Sequence, residues 1–442
     1  MVAKDAHGFS GKALRKELEF IDLYFMGLGG QAPLLSILTF ATAIMIYSLT
    51  FAPIAIIIGT IIVLFNGFVV YKLSAMFSEP GGYYAYAFSS LSDRLGFETG
   101  WVYLFYSFLY GSAYAVGGSF LLSYIVNIPF YLTFLLVSLL AFSFLVLGIK
   151  PSVKYAIFAA SLEVLFLISI GVLGITAANF RLFNMFSSMP SLKAFSLSVL
   201  FAIGIPTGYG TIVPLSGESK KPKHIGKAVL GVIIVGGLLA SFAVYGLTDV
   251  LVSLHETSLL DTNFPALFVL EDMLGRWAPA ILFVVVINDT VLGVLAFMIA
   301  SSRTIFAMSN KGHLFAKFSD LKKGKPIYAA IFSGIVYLLL SGSAGFLFGG
   351  FRAFEAFAIV SGLAGLFVHG AADASLIRMR FSNKNIVAVS AVAGSLSLIQ
   401  LIIGVASASP LLVYSFFIWI ILGFFYLEIL DFARNRGGRG RA

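Results

Sequence analysis

A chain of 442 residues that is 59% hydrophobic and only 11% charged, with a mean hydropathy of +0.98, lies far from the roughly one-quarter charged residues of a soluble domain. Its formal net charge of +9 raises nucleic acid as a partner, but the charges fall in short segments between apolar runs, which argues against it. The absence of cysteine excludes disulfides and thiolate metal sites.

Apolar runs longer than the roughly 20 residues that cross a bilayer follow one another without a soluble linker. Residues 1–442 therefore read as a single integral, all-α membrane domain. In chain order, hydropathy and turn signals predict six helices over about 20–48, 52–77, 97–126, 129–147, 152–178 and 194–216. Six more come over about 227–250, 279–309, 327–348, 354–377, 386–405 and 410–433. The first run is too long for a secretory signal and lacks a clear cleavage site, so it is expected to remain as a span. Spans 3 and 4 are divided only by Asn127-Ile128-Pro129.

Span 1 carries Gly27-Leu28-Gly29-Gly30-Gln31-Ala32-Pro33 near its midpoint, and span 6 carries Gly204-Ile205-Pro206-Thr207-Gly208-Tyr209-Gly210 near its own. Proline removes a backbone donor and glycine tolerates unwound backbone. Unpaired backbone at membrane depth survives only where it lines a protein cavity. These two spans open consecutive blocks of five helices, about 20–178 and 194–377, with extra helices over 386–433. Five is odd, so blocks of one fold would be inverted, and matched interruptions in inverted halves point to a transporter's central site. Freed N–H groups suit a carboxylate and freed carbonyls suit an ammonium, and an α-amino acid offers both.

Other polar residues fall inside spans. Tyr103, Tyr106, Tyr110 and Tyr114 form a stripe on span 3, of the kind whose hydroxyls usually bond between helices. Glu163 in span 5 and Asp289, after Asn288, in span 8 are carboxylates at membrane depth, which are costly and usually functional. A desolvated carboxylate takes up a proton and one wetted from a single side exchanges it, so both are ion-coupling candidates. His369 and Asp373 share a face of span 10 and read as a structural pair. Glu79 and Glu218 sit at span ends, placed for gating ion pairs.

With the N-terminus inside, twenty-five of the 29 Lys and Arg residues fall in segments on the inner side, and only Arg181, Lys193, Arg276 and Arg352 lie outside. That is the asymmetry that orients membrane proteins, and it puts both termini in the cytoplasm of a multi-pass cell-membrane protein. The basic segments, including the Arg434–Arg441 tail, read as anchors to anionic lipid and not as nucleic-acid contacts.

Three stretches resemble the amino acid–polyamine–organocation superfamily of permeases. They are Ser78-Glu79-Pro80-Gly81-Gly82-Tyr83-Tyr84-Ala85-Tyr86, the Gly208-Tyr209 pair ten residues before Glu218-Ser219-Lys220-Lys221-Pro222, and Ser302-Arg303-Thr304-Ile305-Phe306-Ala307-Met308 with Lys311-Gly312. The resemblance spans about 430 residues and implies a pocket formed by Ala32, Pro33, Leu34, Leu35, Ser36, Tyr106 and Ser107. It adds Gly204, Ile205, Pro206, Thr207 and Gly208 of span 6, Phe297 of span 8 and Ser361 of span 10. It also implies that Glu163 stands where proton-coupled members carry a lysine beside the break in span 1. The sequence departs from the family at that break, where Pro33-Leu34-Leu35-Ser36 replaces a Gly-x-Gly, which is expected to narrow or reshape a carboxylate site.

The expected activity is secondary transport of an amino acid by alternating access, driven by a proton or sodium gradient, with no bound cofactor. A polyamine or organic-cation carrier and an amino acid exchanger are the alternatives within that class. A channel would show a continuous polar stripe, and a nutrient sensor a soluble signalling domain; neither is found. No Gly-x-x-x-x-Gly-Lys-[Ser/Thr] supports ATP drive, and the five histidines lack zinc spacing, so neither an enzyme nor a metal site is expected. Partners are a small amino acid or amine and membrane lipid, for a monomer or homodimer.

Overall fold

The computed structural model describes residues 13–254, 257–262 and 264–439. Among them the chain forms no β-strand, only isolated bridges between Leu18 and Ser219 and between Lys322 and Lys325. Helices that pair their own backbone are what a bilayer interior demands.

The first long element is α1 (Phe20–Gln31), α2 (Pro33–Ser36), a π-turn (Ile37–Ala41) and α3 (Thr42–Ser48), followed by α4 (Ala52–Ser74). After the short α5 (Tyr83–Ser90) come α6 (Asp93–Val126), α7 (Phe130–Leu147) and α8 (Ile149–Ala177). The second half begins with α9 (Leu192–Gly204), runs through 3₁₀ turns Ile205–Thr211 and Val213–Gly217, and continues in α10 (Pro222–Ser253), α11 (Pro265–Leu274) and α12 (Ala278–Asn310). It ends with α13 (Ile327–Phe348), α14 (Gly350–Met379), α15 (Lys384–Ser407) and α16 (Pro410–Arg439).

Eleven apolar helical stretches among the described residues are long enough to cross a membrane. One of them, Phe20–Ser74, has 55 residues, which at about 1.5 Å per residue is more than twice a hydrocarbon core of about 30 Å. Its helix is interrupted at Leu49, where φ is 38°, and resumes at Ala52. The boundaries agree with the sequence-based spans to within a few residues. Asn127 does divide α6 from α7, in left-handed conformation with its N–H on the Ser123 carbonyl. The sequence reading missed α5 and α11, short helices that lie between the long ones.

Burial sorts the helices. α6 and α12 are enclosed over most of their length, whereas α7, α15 and α16 expose leucine, isoleucine and phenylalanine along one side. An exposed apolar band of that extent belongs against lipid. α16 is fastened to α6 by a reciprocal pair, Trp101 Nε1–H to the Trp419 carbonyl (2.9 Å) and Trp419 Nε1–H to the Trp101 carbonyl (3.0 Å), with the indoles stacked.

The connectivity puts Ser258 and Gly349 in connections at the end of the bundle away from the termini, and Lys220 at the end that carries them. All three are exposed. Cysteines introduced at Ser258 and Gly349 are expected to react with an impermeant thiol reagent on intact cells, and one at Lys220 only after permeabilisation. Reaction of all three from one side would rule out this arrangement.

Candidate functional site

Span 1 breaks one residue after Gln31. Ala32 is left-handed (φ 46°, ψ 72°) and Pro33 has no N–H to continue the helix. The carbonyl of Gln31 accepts hydrogen bonds from Tyr114 Oη (2.5 Å) and Ser36 Oγ (2.6 Å). On the far side of the break, Leu35 N–H donates to Asp289 Oδ2 at 2.6 Å. The backbone groups expected to face a cargo are thus held by side chains from α6 and α12.

Span 6 breaks after Gly204, where the chain tightens into 3₁₀ turns and Pro206 leaves helical geometry (φ −82°, ψ 16°). Gly204 C=O accepts from Tyr110 Oη (2.5 Å) and Thr207 Oγ1 (2.6 Å), and Gly210 C=O accepts from Tyr103 Oη (2.9 Å). Three members of the tyrosine stripe therefore hold the carbonyls that the two breaks release. Tyr106 and Tyr110 also border open space.

That space is a cavity between the two interrupted spans. Its walls include Phe40 from the π-turn, Asn66 from α4, Tyr106 and Tyr110, and Gly204 and Thr207. Tyr209 and His369 close the end toward the chain termini, joined by a hydrogen bond of 2.9 Å between Tyr209 Oη and His369 Nε2, while His369 Nδ1 is buried without a partner. The space open to water is about 40 Å³, enough for a few waters and not for a whole amino acid. Leu200, Phe201 and Ile359 form the opposite wall and also border a vestibule of about 640 Å³ that carries Lys193, Arg352 and Glu355. These three apolar side chains separate the cavity from the vestibule.

The end with the chain termini is sealed by polar contacts. Arg303 grips Glu218 in a two-pronged pair, Nε to Oε2 at 3.0 Å and Nη2 to Oε1 at 2.9 Å, with both residues buried. The N–H groups of Glu17 and Leu18 donate to the Glu218 carbonyl at 2.8 and 2.9 Å, and Lys220 N–H donates to the Leu18 carbonyl at 2.9 Å. Nearby, Gly81 (φ 93°) and Gly82 (φ 48°) occupy conformations that disfavour side chains, and Gly81 N–H bonds the Pro214 carbonyl at 3.1 Å. The Gly-Gly of the first motif is thereby explained. Of the two glutamates expected to form ion pairs, Glu218 does so. Burial pushes the Glu79 carboxyl above its usual range, and its Oε2 has no hydrogen-bond partner.

Both carboxylates at membrane depth lie beside the span 1 break. Asn288 Nδ2 donates to Glu163 Oε1 at 3.0 Å, and Tyr155 Oη lies 3.0 Å from both the carbonyl and Oδ1 of Asn288. Glu163 Oε2 and Asp289 Oδ1 have no hydrogen-bond partner. His369 and Asp373 do not bond each other, and both Asp373 oxygens are unpartnered.

Of the residues expected in the pocket, Tyr106, Gly204 and Thr207 line the cavity. Phe297 lies behind it, stacked on Tyr110 at 4.9 Å, and Ser107 bonds the Phe297 carbonyl at 3.1 Å. Ser361 bonds within its own helix, to the Ala358 carbonyl. Ala32, Pro33, Leu34, Leu35, Ser36, Ile205 and Pro206 are buried in the packing around the breaks and do not line it. Gly208 does not line it either: a Cβ there would come 2.1 Å from Gln31 N and 2.3 Å from the Gly27 carbonyl oxygen. Sequence reasoning missed Phe40, Asn66, Tyr209 and His369 as lining residues; only Tyr209 and His369 had drawn notice, one inside a motif and the other as half of a pair.

The sequence matches the amino acid permease family over residues 22–431. The fold is similar to that in the crystal structure of MhsT in complex with L-phenylalanine, with a TM-score of 0.63 at 15% identity over 90% of this chain and 100% of that one. No curated protein matches in sequence.

Because the atoms facing Gly208 are backbone, nothing flexible can yield. Gly208→Ala is expected to lower the thermal midpoint of the purified protein, with a loss of about 1–3 kcal/mol or more typical of overpacking. Wild-type stability in that variant, measured in detergent by size exclusion after heating, would contradict the close approach of the two breaks.

Proposed function

Because the chain belongs to the amino acid permease family, we propose that it is a secondary transporter that carries an amino acid across the cell membrane by alternating access. The observation that carries this reading is the buried cavity flanked by both interrupted helices. In this reading the 55-residue stretch counts as two crossings, which brings the total to twelve. Residues 20–178 and 194–377 are then inverted repeats, α15 and α16 are additions, and charge asymmetry orients both termini to the cytoplasm.

The two closures around the cavity act as alternating gates. On the cytoplasmic side Arg303 of α12 holds the Glu218 side chain, while backbone bonds from Glu17 and Leu18 to the Glu218 carbonyl join the segment before α1 to the segment after span 6. Opening that side parts a buried ion pair, which requires water to enter and solvate both charges. On the outer side Leu200, Phe201 and Ile359 are apolar and move apart without that cost. Cargo entering from the vestibule reaches the cavity past them.

Glu163 and Asp289 lie where motion of α1 would change their access to water. No ion pair to either is present among the described residues, so a proton is the simplest charge to neutralise them. Coupling then results if the proton enters from outside and leaves to the cytoplasm with each cycle.

Uptake of labelled amino acids and amines by proteoliposomes tests the main reading. Saturable uptake of at least one amino acid is expected, and a response to a proton but not a sodium gradient. Uptake of polyamines alone would make the protein an organic-cation carrier, and uptake only against internal amino acid an exchanger. Glu163→Gln is expected to bind cargo as wild type does and to lose stimulation by an inward proton gradient at fixed outside pH. A wild-type response in that variant would remove Glu163 from coupling.

A further inference from the structure

We propose that the cargo is read through its amine and side chain and not through a carboxylate, so that the amine corresponding to each transported amino acid is also bound. The inference rests on the cavity being the cargo site.

The first observation is who occupies the donor side of the span 1 break. Pro33 contributes no N–H, and the Leu35 N–H is bonded to Asp289 Oδ2 at 2.6 Å. Asp289 is fully buried, and Gly293, one turn further along α12, packs so closely that a Cβ would sit 2.9 Å from Ala32 Cβ. A cargo carboxylate would have to evict a carboxylate that the chain itself supplies. Asp289 thus takes the place of that group.

The second observation is the chemistry of the cavity, whose lining includes no residue of α12. None of the residues lining it is lysine or arginine. A carboxylate buried there would find hydroxyl, amide and imidazole groups but no cation, and burial of an anion without one is costly. An ammonium meets no carboxylate there either, but it does meet groups that favour a cation. Five aromatic rings face the space, those of Phe40, Tyr106, Tyr110, Phe201 and Tyr209, and such faces attract cations at close range. An acceptor is present in the side-chain oxygen of Asn66, which also takes the Ser397 hydroxyl at 3.3 Å, and His369 Nδ1 is a further polar atom there without a partner. The large apolar share of the walls suits an aliphatic or aromatic side chain.

The test is equilibrium binding to the full-length purified protein. The probes are the twenty common amino acids, their decarboxylated amines and their des-amino acids. For the tightest amino acid, the amine is expected to bind within about threefold of the parent, and the des-amino acid at least tenfold more weakly. In Asp289→Ala, where the Leu35 N–H is released, preference for the amino acid over its amine is expected to rise to at least tenfold. Asp289→Asn keeps an oxygen on that N–H and is expected to retain the wild-type tolerance, which guards against a folding defect in the alanine variant. A wild-type protein that binds an amino acid but rejects its amine by tenfold or more overturns the proposal and leaves the transport reading intact. Binding of amines with no amino acid supports it, and binding of neither overturns the cargo site itself.

Discussion

A carbonyl or amide released from a helix inside a bilayer has no water to turn to, and everything at the centre of this molecule depends on that constraint. Two spans are interrupted, and several of the backbone groups released there are met by side chains. Tyr103, Tyr110 and Tyr114 of α6 reach the carbonyls of Gly210, Gly204 and Gln31, and Asp289 of α12 reaches the amide of Leu35. Those two helices are accordingly the most enclosed long elements of the bundle. The broken helices are not loose joints but parts of a hydrogen-bonded network, in which the Gln31 side chain and Asp289 Oδ1 stay unpartnered.

The same network makes the centre asymmetric. Toward the chain termini, closure is ionic and backbone-mediated, through Arg303, Glu218 and the short pairing of Leu18 with Ser219. Toward the other end closure is three apolar side chains thick. A buried two-pronged ion pair is strongly directional and either made or lost. Apolar contacts loosen gradually. The two closures therefore differ in kind, ionic toward the chain termini and apolar toward the other end.

Much of the fold could be read from residues alone, because span length, proline and glycine interruptions and charge asymmetry each report a bilayer directly. The division at Asn127 and the break positions near Pro33 and Pro206 arise from local backbone chemistry, which sequence displays. The occupants of the site could not be read that way. Nothing local indicates that Asp289 meets Leu35 across 254 positions of chain, or that Phe40 rather than Phe297 faces the space. The family resemblance pointed to the residues around the breaks, but bulk at Leu34 and Leu35 and the intrusion of Asp289 turn those positions into packing. Gly208 shows the same limit: its glycine is required by a neighbouring backbone that only the assembled helices bring near. Tyr110 belonged to a stripe read as packing, and it is both packing and wall.

The π-turn at Ile37–Ala41 holds one residue more than an α-helical turn would. In angular terms that is a phase shift of about 100° between the helical segment before it and the one after it. A helical wheel drawn straight through span 1 therefore assigns α3 to the wrong faces. Phe40, inside the turn, borders the cavity, while Ile46 and Tyr47 on α3 are exposed. Gain or loss of a single residue within those five positions acts on azimuth more than on length, turning the outer half of the span by about 100° about its axis. Among chains of this architecture, alignment gaps at that turn would mark changes of facing that a count of residues hides.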